Sequence, residues 1–342
     1  MKADTMHISK LSITLLLILI VFTASSATAV TVTDDMGTVV TIDSPPQRII
    51  SLSPSNTEIL YALGLGDRII GVTEYCNYPA EAVEKPKVGG YSTVSIEKVI
   101  ALKPDLIMAS YGNGEELLEN LRSLGYPVVA LHPGTLADLL EDIRLVGQAT
   151  GAEANATILA GDLERRIHTV EEQAGTAQVR PTVVHVIWND PIYVSGNGTF
   201  QDELIRIAGG ENAFSHIEGW MNIGVEDFIR ADPDVLIVNA GSGMGGGEDA
   251  IAQFFMNEPR FSRVSAIRDN RVSIIDSDMV DRAGPRIVDA LEIFAKDIHP
   301  ELFGNETADI PATPAAEGPG FGTLIALVAC AGAALFAMRR AL

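Results

Sequence analysis

Polar and apolar positions alternate over residues 31–42 around Asp35-Met36-Gly37, a pattern that predicts a β-hairpin. From Arg48 the period changes. Short apolar runs at 48–52, 68–72, 105–109 and 127–131 are separated by longer amphipathic stretches, which predicts buried parallel strands alternating with helices. Ser55 and Glu58 form a candidate capping box for the first helix, and Gly64 marks its end. Residues 135–177 contain no proline and carry Leu136, Leu139, Leu140, Ile143 and Val146, then Ile158, Leu163 and Ile167, at helical spacing. They predict one long linking helix, with a break near Gly151. Alternation resumes at 182–187, 234–239 and 271–275, before a closing helix at 285–298.

The second half echoes the first. SIEKVIALKPDLIM at 95–108 and GVEDFIRADPDVLI at 224–237 each read as a helix, a proline stop and a buried strand, and place Glu97 and Glu226 at the same position. The fold class expected is α/β: two lobes with mainly parallel sheets, 30–134 and 178–303, joined by the linking helix at 135–177.

The chain ends add a compartment. Lys2 and Lys10, the apolar run 11–22 and Ala27-Thr28-Ala29 read as a secretory signal ending at residue 29. Residues 304–318 form a polar linker with Pro311 and Pro314. Residues 321–338 carry no charge, and Arg339 and Arg340 follow. This predicts a transmembrane span with a cytoplasmic basic end, and so an exported body tethered to the outer face of the membrane. Pro319-Gly320-Phe321 before that span resembles the C-terminal sorting signal of archaeal surface proteins, which implies exchange of the span for a lipid anchor.

The two cysteines, Cys76 and Cys330, fall in the body and in the span, so no internal disulfide is expected. A net charge of −21 argues against a nucleic-acid partner. Sequons at Asn155, Asn197 and Asn305 fit an exported chain.

Candidate chemistry lies in the loops at strand ends, where open α/β sheets bind ligands. Tyr75, Tyr78, Tyr91 and Tyr111 fall there in the first lobe, and Tyr193 and Trp220 in the second. Each could face a cleft, suiting a large flat ligand, or plug its own lobe. Asp278 and Arg282, four residues apart, could fix polar groups of a ligand or form a surface ion pair. Glu97 and Glu226 could answer a helix dipole or meet basic sockets on a two-fold partner. The glycine-rich stretch 241–247 formally matches a dinucleotide fingerprint but lies too late in the chain, and reads as a surface loop. Of six histidines only His132 and His216 fall in loops that could face a cleft, so no metal-ligand set and no catalytic dyad is visible.

RIISLSPSNTEILYALG at 48–64, IALKPDL at 100–106 and AGPR at 283–286 resemble the helical-backbone class of ABC-importer substrate-binding proteins across roughly 32–302. PIYVSG at 191–196, GGENAF at 209–214 and Asp278 to Arg282 resemble its cobalamin-binding group in particular. The resemblance implies a class III periplasmic-binding-protein fold, no catalysis, no cofactor and a corrinoid ligand. It implies that Tyr75, Tyr91, Tyr193 and Trp220 are aromatic contacts, that Asp278 and Arg282 are polar ones, and that Glu97 and Glu226 dock on a permease driven by ATPase subunits. This chain departs from that group with Tyr91 in place of a tryptophan, Ser110 in place of an aromatic residue, and no disulfide in the second lobe. The alternatives are a ferric siderophore or haem carrier on the same scaffold and, from another class, a surface hydrolase.

Overall fold

The computed structural model describes residues 29–241 and 249–304. Strand β1 (Val30–Thr33) pairs antiparallel with β2 (Val39–Ile42), and Val32, Val40 and Ile42 bury one face of this hairpin. Asp34 shapes the turn. Its Oδ1 accepts from the backbone N–H groups of Met36 and Thr38, while Oδ2 meets Arg122 at 2.7 Å.

The first lobe runs β3 (Ile49–Ser51), α1 (Pro54–Ala62), β4 (Ile69–Val72), α2 (Ile96–Ala101), β5 (Leu106–Ser110), α3 (Glu115–Ser123) and β6 (Val128–Leu131). The strands form a parallel sheet in the order β4-β3-β5-β6. Their near-continuous apolar runs follow from coverage on both faces, and Leu106 to Ala109 are all fully buried.

Residues 135–177, expected as one linking helix with a break near Gly151, form two separate helices: α4 (Leu136–Thr150) and α5 (Glu153–Ala174). Gly151 ends α4 at φ 72°, a left-handed conformation that costs a side-chain-bearing residue about 1 kcal/mol or more. The helices then pack side by side at Gly147, where any Cβ would lie 2.4 Å from that of Ala156. The chain crosses between the lobes along α5, about 33 Å long at ~1.5 Å per residue, and the start of α4 also touches the second lobe, where Leu136 N–H donates to Glu203 Oε2. Near the start of α5 Asn155 donates to Leu63 O of the first lobe, and further along Arg166 is held by Asp289 and Glu292 of the second.

The second lobe follows as β7 (Thr182–Asn189), β8 (Ile192–Ser195), α6 (Phe200–Ile207), β9 (Glu211–Asn212), β10 (Trp220–Ile223), α7 (Val225–Ala231) and β11 (Val235–Ala240). It closes with α8 (Ala250–Asn257), α9 (Ser265–Arg268), β12 (Val272–Asp276), α10 (Ser277–Val280), α11 (Ile287–Ile298) and α12 (Pro300–Phe303). Its sheet is mixed: β7, β11 and β12 run parallel, while β8 and β10 extend it antiparallel in the order β10-β8-β7-β11-β12, with β9 beside β7. Phe228, Phe255 and Phe261 stack at centroid separations of 4.7 to 5.3 Å in the core of this lobe.

The sequence echo is a topological repeat. Helices α2 and α7 lead into the equivalent strands β5 and β11, and both connections turn on a residue of positive φ before proline, Lys103 at 50° and Asp232 at 41°. Among the described residues no helix is long and apolar enough to cross a membrane. The expected signal up to residue 28, the linker beyond Gly304, the PGF motif and span, Asn305 and the glycine-rich stretch 242–248 lie outside the described residues.

Candidate functional site: an aromatic-walled cleft

The carboxyl ends of β3 to β6 and of β7, β11 and β12 carry loops that meet between the lobes. In the first lobe Asn113 organises these loops. Its Nδ2 donates to Leu52 O and Tyr91 O, and its Oδ1 accepts from Ser110 N–H. Tyr91 lies over Gly112, whose missing side chain makes room for the ring, with its hydroxyl 2.9 Å from Ser110 Oγ. Tyr111 stacks on His132 with ring centroids 4.5 Å apart. Tyr75 is 59 % exposed, so it does not plug its own lobe.

The opposite wall is set by strand register. Trp188 pairs with Tyr193, Tyr193 with Asn222, and Ser195 with Trp220, and directly paired residues share a sheet face. Trp188, Tyr193 and Trp220 therefore lie on one face, all exposed, with Trp220 at 55 %. Trp188 was not anticipated, because the apolar run that marks β7 ends at Ile187 and the strand continues two residues further.

From Trp220 a row of polar groups runs into the lobe. Its Nε1–H donates to Gln201 Oε1 (3.3 Å), and Gln201 Nε2 donates to Asp281 Oδ1 (2.8 Å). Asn239 Nδ2 donates to the other Asp281 oxygen (2.7 Å), and Asn239 Oδ1 lies 3.0 Å from His185 Nε2. That acceptor fixes the proton of His185 on Nε2 and leaves Nδ1 to accept from Ser195, 2.9 Å away. Burial holds His185 down to about 4, so it is neutral. Asp281 borders open space yet is hemmed in by protein. Loss of hydration pushes its carboxyl up to about 7 against the pull of Asn239 and Gln201.

At the floor the lobes join through Glu58. The capping-box reading of this residue does not hold: α1 starts after Ser53 without a side-chain cap, and the Glu58 side chain, 2 % exposed, crosses to the second lobe. Its Oε2 accepts from Arg286 Nε (2.9 Å), and its Oε1 accepts from Arg286 Nη2 (2.7 Å) and Arg282 Nη1 (3.2 Å). Arg282 also pairs with Asp278 (2.7 Å) and donates to Asn77 Oδ1 and Tyr75 O, while Asn77 Nδ2 donates to Asp278. Arg286 lies 4.0 Å from the centre of the Tyr78 ring. Burial opposes the charge on Arg286, but Glu58 more than offsets it and raises the guanidinium above its ordinary value. Asp278 and Arg282, expected as ligand contacts, are thus engaged with each other and with the first lobe.

Glu97 and Glu226 occupy the second position of α2 and α7, both exposed. Its own backbone N–H at the helix start, then the Ser95 hydroxyl, holds Glu97 below the usual carboxylate range. The Asn155 amide is tied to Leu63 O in the first turn of α5, whereas Asn197 is exposed after β8 and bonds Glu218. His216 lies beside Phe214. Among the described residues no group of three or more His, Cys, Asp or Glu is placed to hold a metal ion.

A model of the periplasmic binding protein family matches residues 49–279. The chain is similar to an uncharacterised ABC transporter substrate-binding lipoprotein of Bacillus subtilis, 32 % identical over 281 residues, covering 80 % of this chain and 87 % of the relative. It is similar to the crystal structure of the periplasmic vitamin B12-binding protein of Vibrio cholerae (TM-score 0.66, 30 % identity, 74 % of this chain and 97 % of that one). It is similar to the same degree to a periplasmic haem-binding protein from Roseiflexus (TM-score 0.66, 28 % identity, 75 % and 99 %). Neighbours of this kind share the class III architecture described above.

Proposed function

Since the chain belongs to the periplasmic binding protein family, whose members carry solutes without converting them, we propose that it is the exported substrate-binding component of an ABC importer with a corrinoid as its cargo. The observation that carries the cargo is a contrast within one cleft. Exposed aromatic rings from both lobes, Tyr75 on one side with Trp188, Tyr193 and Trp220 on the other, flank a floor whose two arginines are already matched by Glu58 and Asp278.

A large apolar ligand is held by the rings, each able to cover ~150 to 250 Å². A cobalamin macrocycle is edged with neutral amides, which suit carboxylate acceptors such as Asp281 and need no unpaired cation. Haem propionates and the ferric siderophores that carry net negative charge, such as triscatecholate complexes, gain little from guanidiniums that already hold carboxylates. The relatives that bind vitamin B12 and haem frame this choice, and the charge balance favours the first.

Delivery follows from the repeat. Glu97 and Glu226 stand exposed at equivalent helix starts, one per lobe, and so offer matched acids to the paired membrane subunits of a permease with its ATPase subunits. The tether at the membrane rests on the C-terminal sequence alone.

A thermal-shift panel tests the cargo. Cyanocobalamin and dicyanocobinamide are expected to raise Tm in proportion to the logarithm of concentration above Kd, with haemin and ferric siderophores leaving it unchanged. Stabilisation by haemin or a siderophore alone moves the cargo to iron.

A further inference from the structure

Trp220 is the most exposed ring of the second-lobe wall, and its strand β10 is the edge of the sheet. Among the described residues its indole makes one hydrogen bond, from Nε1–H to Gln201 Oε1 at 3.3 Å. Gln201 is the opposite kind of residue. It is 1 % exposed, and its amide nitrogen donates to a carbonyl and a carboxylate oxygen, Val280 O (3.1 Å) and Asp281 Oδ1 (2.8 Å). Those two acceptors fix which way the amide is turned, so its oxygen faces the indole. The backbone behind it is anchored as well. Gln201 sits in the first turn of α6, where Thr199 accepts from Asp202 N–H and donates to Gly196 O (2.8 Å). Asn212 ties the same turn to β8, donating to Asp202 Oδ1 (2.7 Å) and to Ser195 O (3.0 Å). Ser195 is the residue that pairs with Trp220 in the sheet, so the ring and the acceptor that meets it belong to one frame.

We propose that Gln201 is a positioning residue for the ligand wall: it holds the Trp220 ring in one orientation before a ligand arrives. The role rests on the corrinoid reading and deepens it. An exposed side chain loses rotamer freedom when a flat ligand packs against it, and a ring that is already fixed loses less. Gln201 acts from behind the ring and needs no contact with the ligand. Its burial keeps water from taking over as the acceptor, so the orientation of the indole depends on this one side chain.

One arm of the test needs no ligand. The chain has two tryptophans, so Trp188→Phe leaves Trp220 as the sole indole emitter, and time-resolved anisotropy in that background reads the motion of its ring. Adding Gln201→Met, which keeps the length of the side chain but removes the oxygen, is expected to raise the amplitude of the fast nanosecond component about two-fold or more. If Gln201→Met does not fold, Gln201→Asn, polar but one methylene short, must show the same release. In the second arm cyanocobalamin is titrated into the otherwise wild-type chain. Gln201→Met should raise Kd about three- to ten-fold, whereas in a Trp220→Phe background, which lacks the N–H, it should change Kd by less than about two-fold. Unchanged anisotropy in the folded variant, or the same Kd penalty with and without Trp220→Phe, overturns the proposal. If the wild-type chain does not bind cyanocobalamin, the corrinoid reading fails by itself and the anisotropy arm alone decides the role of Gln201.

Discussion

Glu58 and Arg286 form a forked ion pair across the lobe junction although 228 residues separate them in the chain. Each partner is nearly buried, so neither can exchange its mate for water. Removing one partner of such a pair leaves the other uncompensated, which costs about 3 kcal/mol. Arg286→Ala is expected to lower the free energy of unfolding by about that amount in urea denaturation. Arg286→Lys should recover less than half, because an ammonium cannot make the fork.

The aromatic walls are expected to behave in the opposite way. Tyr75 and Trp220 are among the most exposed large side chains, so truncating them removes little folded-state burial. Trp220→Ala should shift Tm by no more than about 2 °C and weaken corrinoid binding at least ten-fold, since a ring covering ~150 Å² of ligand is worth up to ~4 kcal/mol at ~25 cal/mol per Å². Trp188→Ala, on the same face, should show the same pattern. A wall residue whose loss unfolds the protein without touching affinity does not belong to the cleft.

Asp142 predicts a pH dependence. It is buried in α4 and its Oδ2 has no hydrogen-bond partner; burial, then the neighbouring Asp35 and Asp138 carboxylates, pushes it up to about 8 from 3.8. The folded state therefore holds a proton that the unfolded chain has released. This stability is full below pH ~4 and is lost as pH rises towards 8, because the unfolded state binds fewer protons in that window. Asp142→Asn keeps the donor without the titration. It should flatten the stability profile and be more stable than wild type at pH 8, by on the order of 2 kcal/mol. A profile with the wild-type slope in this variant assigns the pH dependence elsewhere.

Glu97 and Glu226 separate binding from delivery. Among the described residues each acid is exposed at a helix start and makes no hydrogen bond to an aromatic wall residue, so Glu97→Ala and Glu226→Ala should leave the ligand Kd within two-fold. Uptake by cells carrying the cognate permease should fall at least ten-fold in the double variant, and less in each single one. Normal uptake in the double variant removes them from the docking surface.

What the sequence showed and what it hid divide along the range of the interactions. The hairpin, the parallel strands and the repeated helix-to-strand unit are local patterns, and each stands where the periodicity put it. The break at Gly151 was visible as a glycine, but not the close approach of Gly147 to Ala156 that makes two packed helices, because nothing local says whether a helix folds back on itself. Glu58 was misread because Ser55 three residues earlier mimics a capping box, while its true partners lie more than 220 residues away. Trp188 escaped because the apolar run ended before the strand did. Asp281, between two residues singled out by resemblance, carried no signal of its own until Gln201 and Asn239 were seen to hold it.

Whether a corrinoid is held between the two aromatic walls is read by an equilibrium titration of the purified protein with cyanocobalamin, followed by corrin absorbance. Saturation at one equivalent, with Kd raised at least ten-fold in Tyr75→Ala and in Trp220→Ala while both variants stay folded, is the expected result. Absence of saturation with cyanocobalamin and dicyanocobinamide alike, or tight binding unaffected by either substitution, contradicts it.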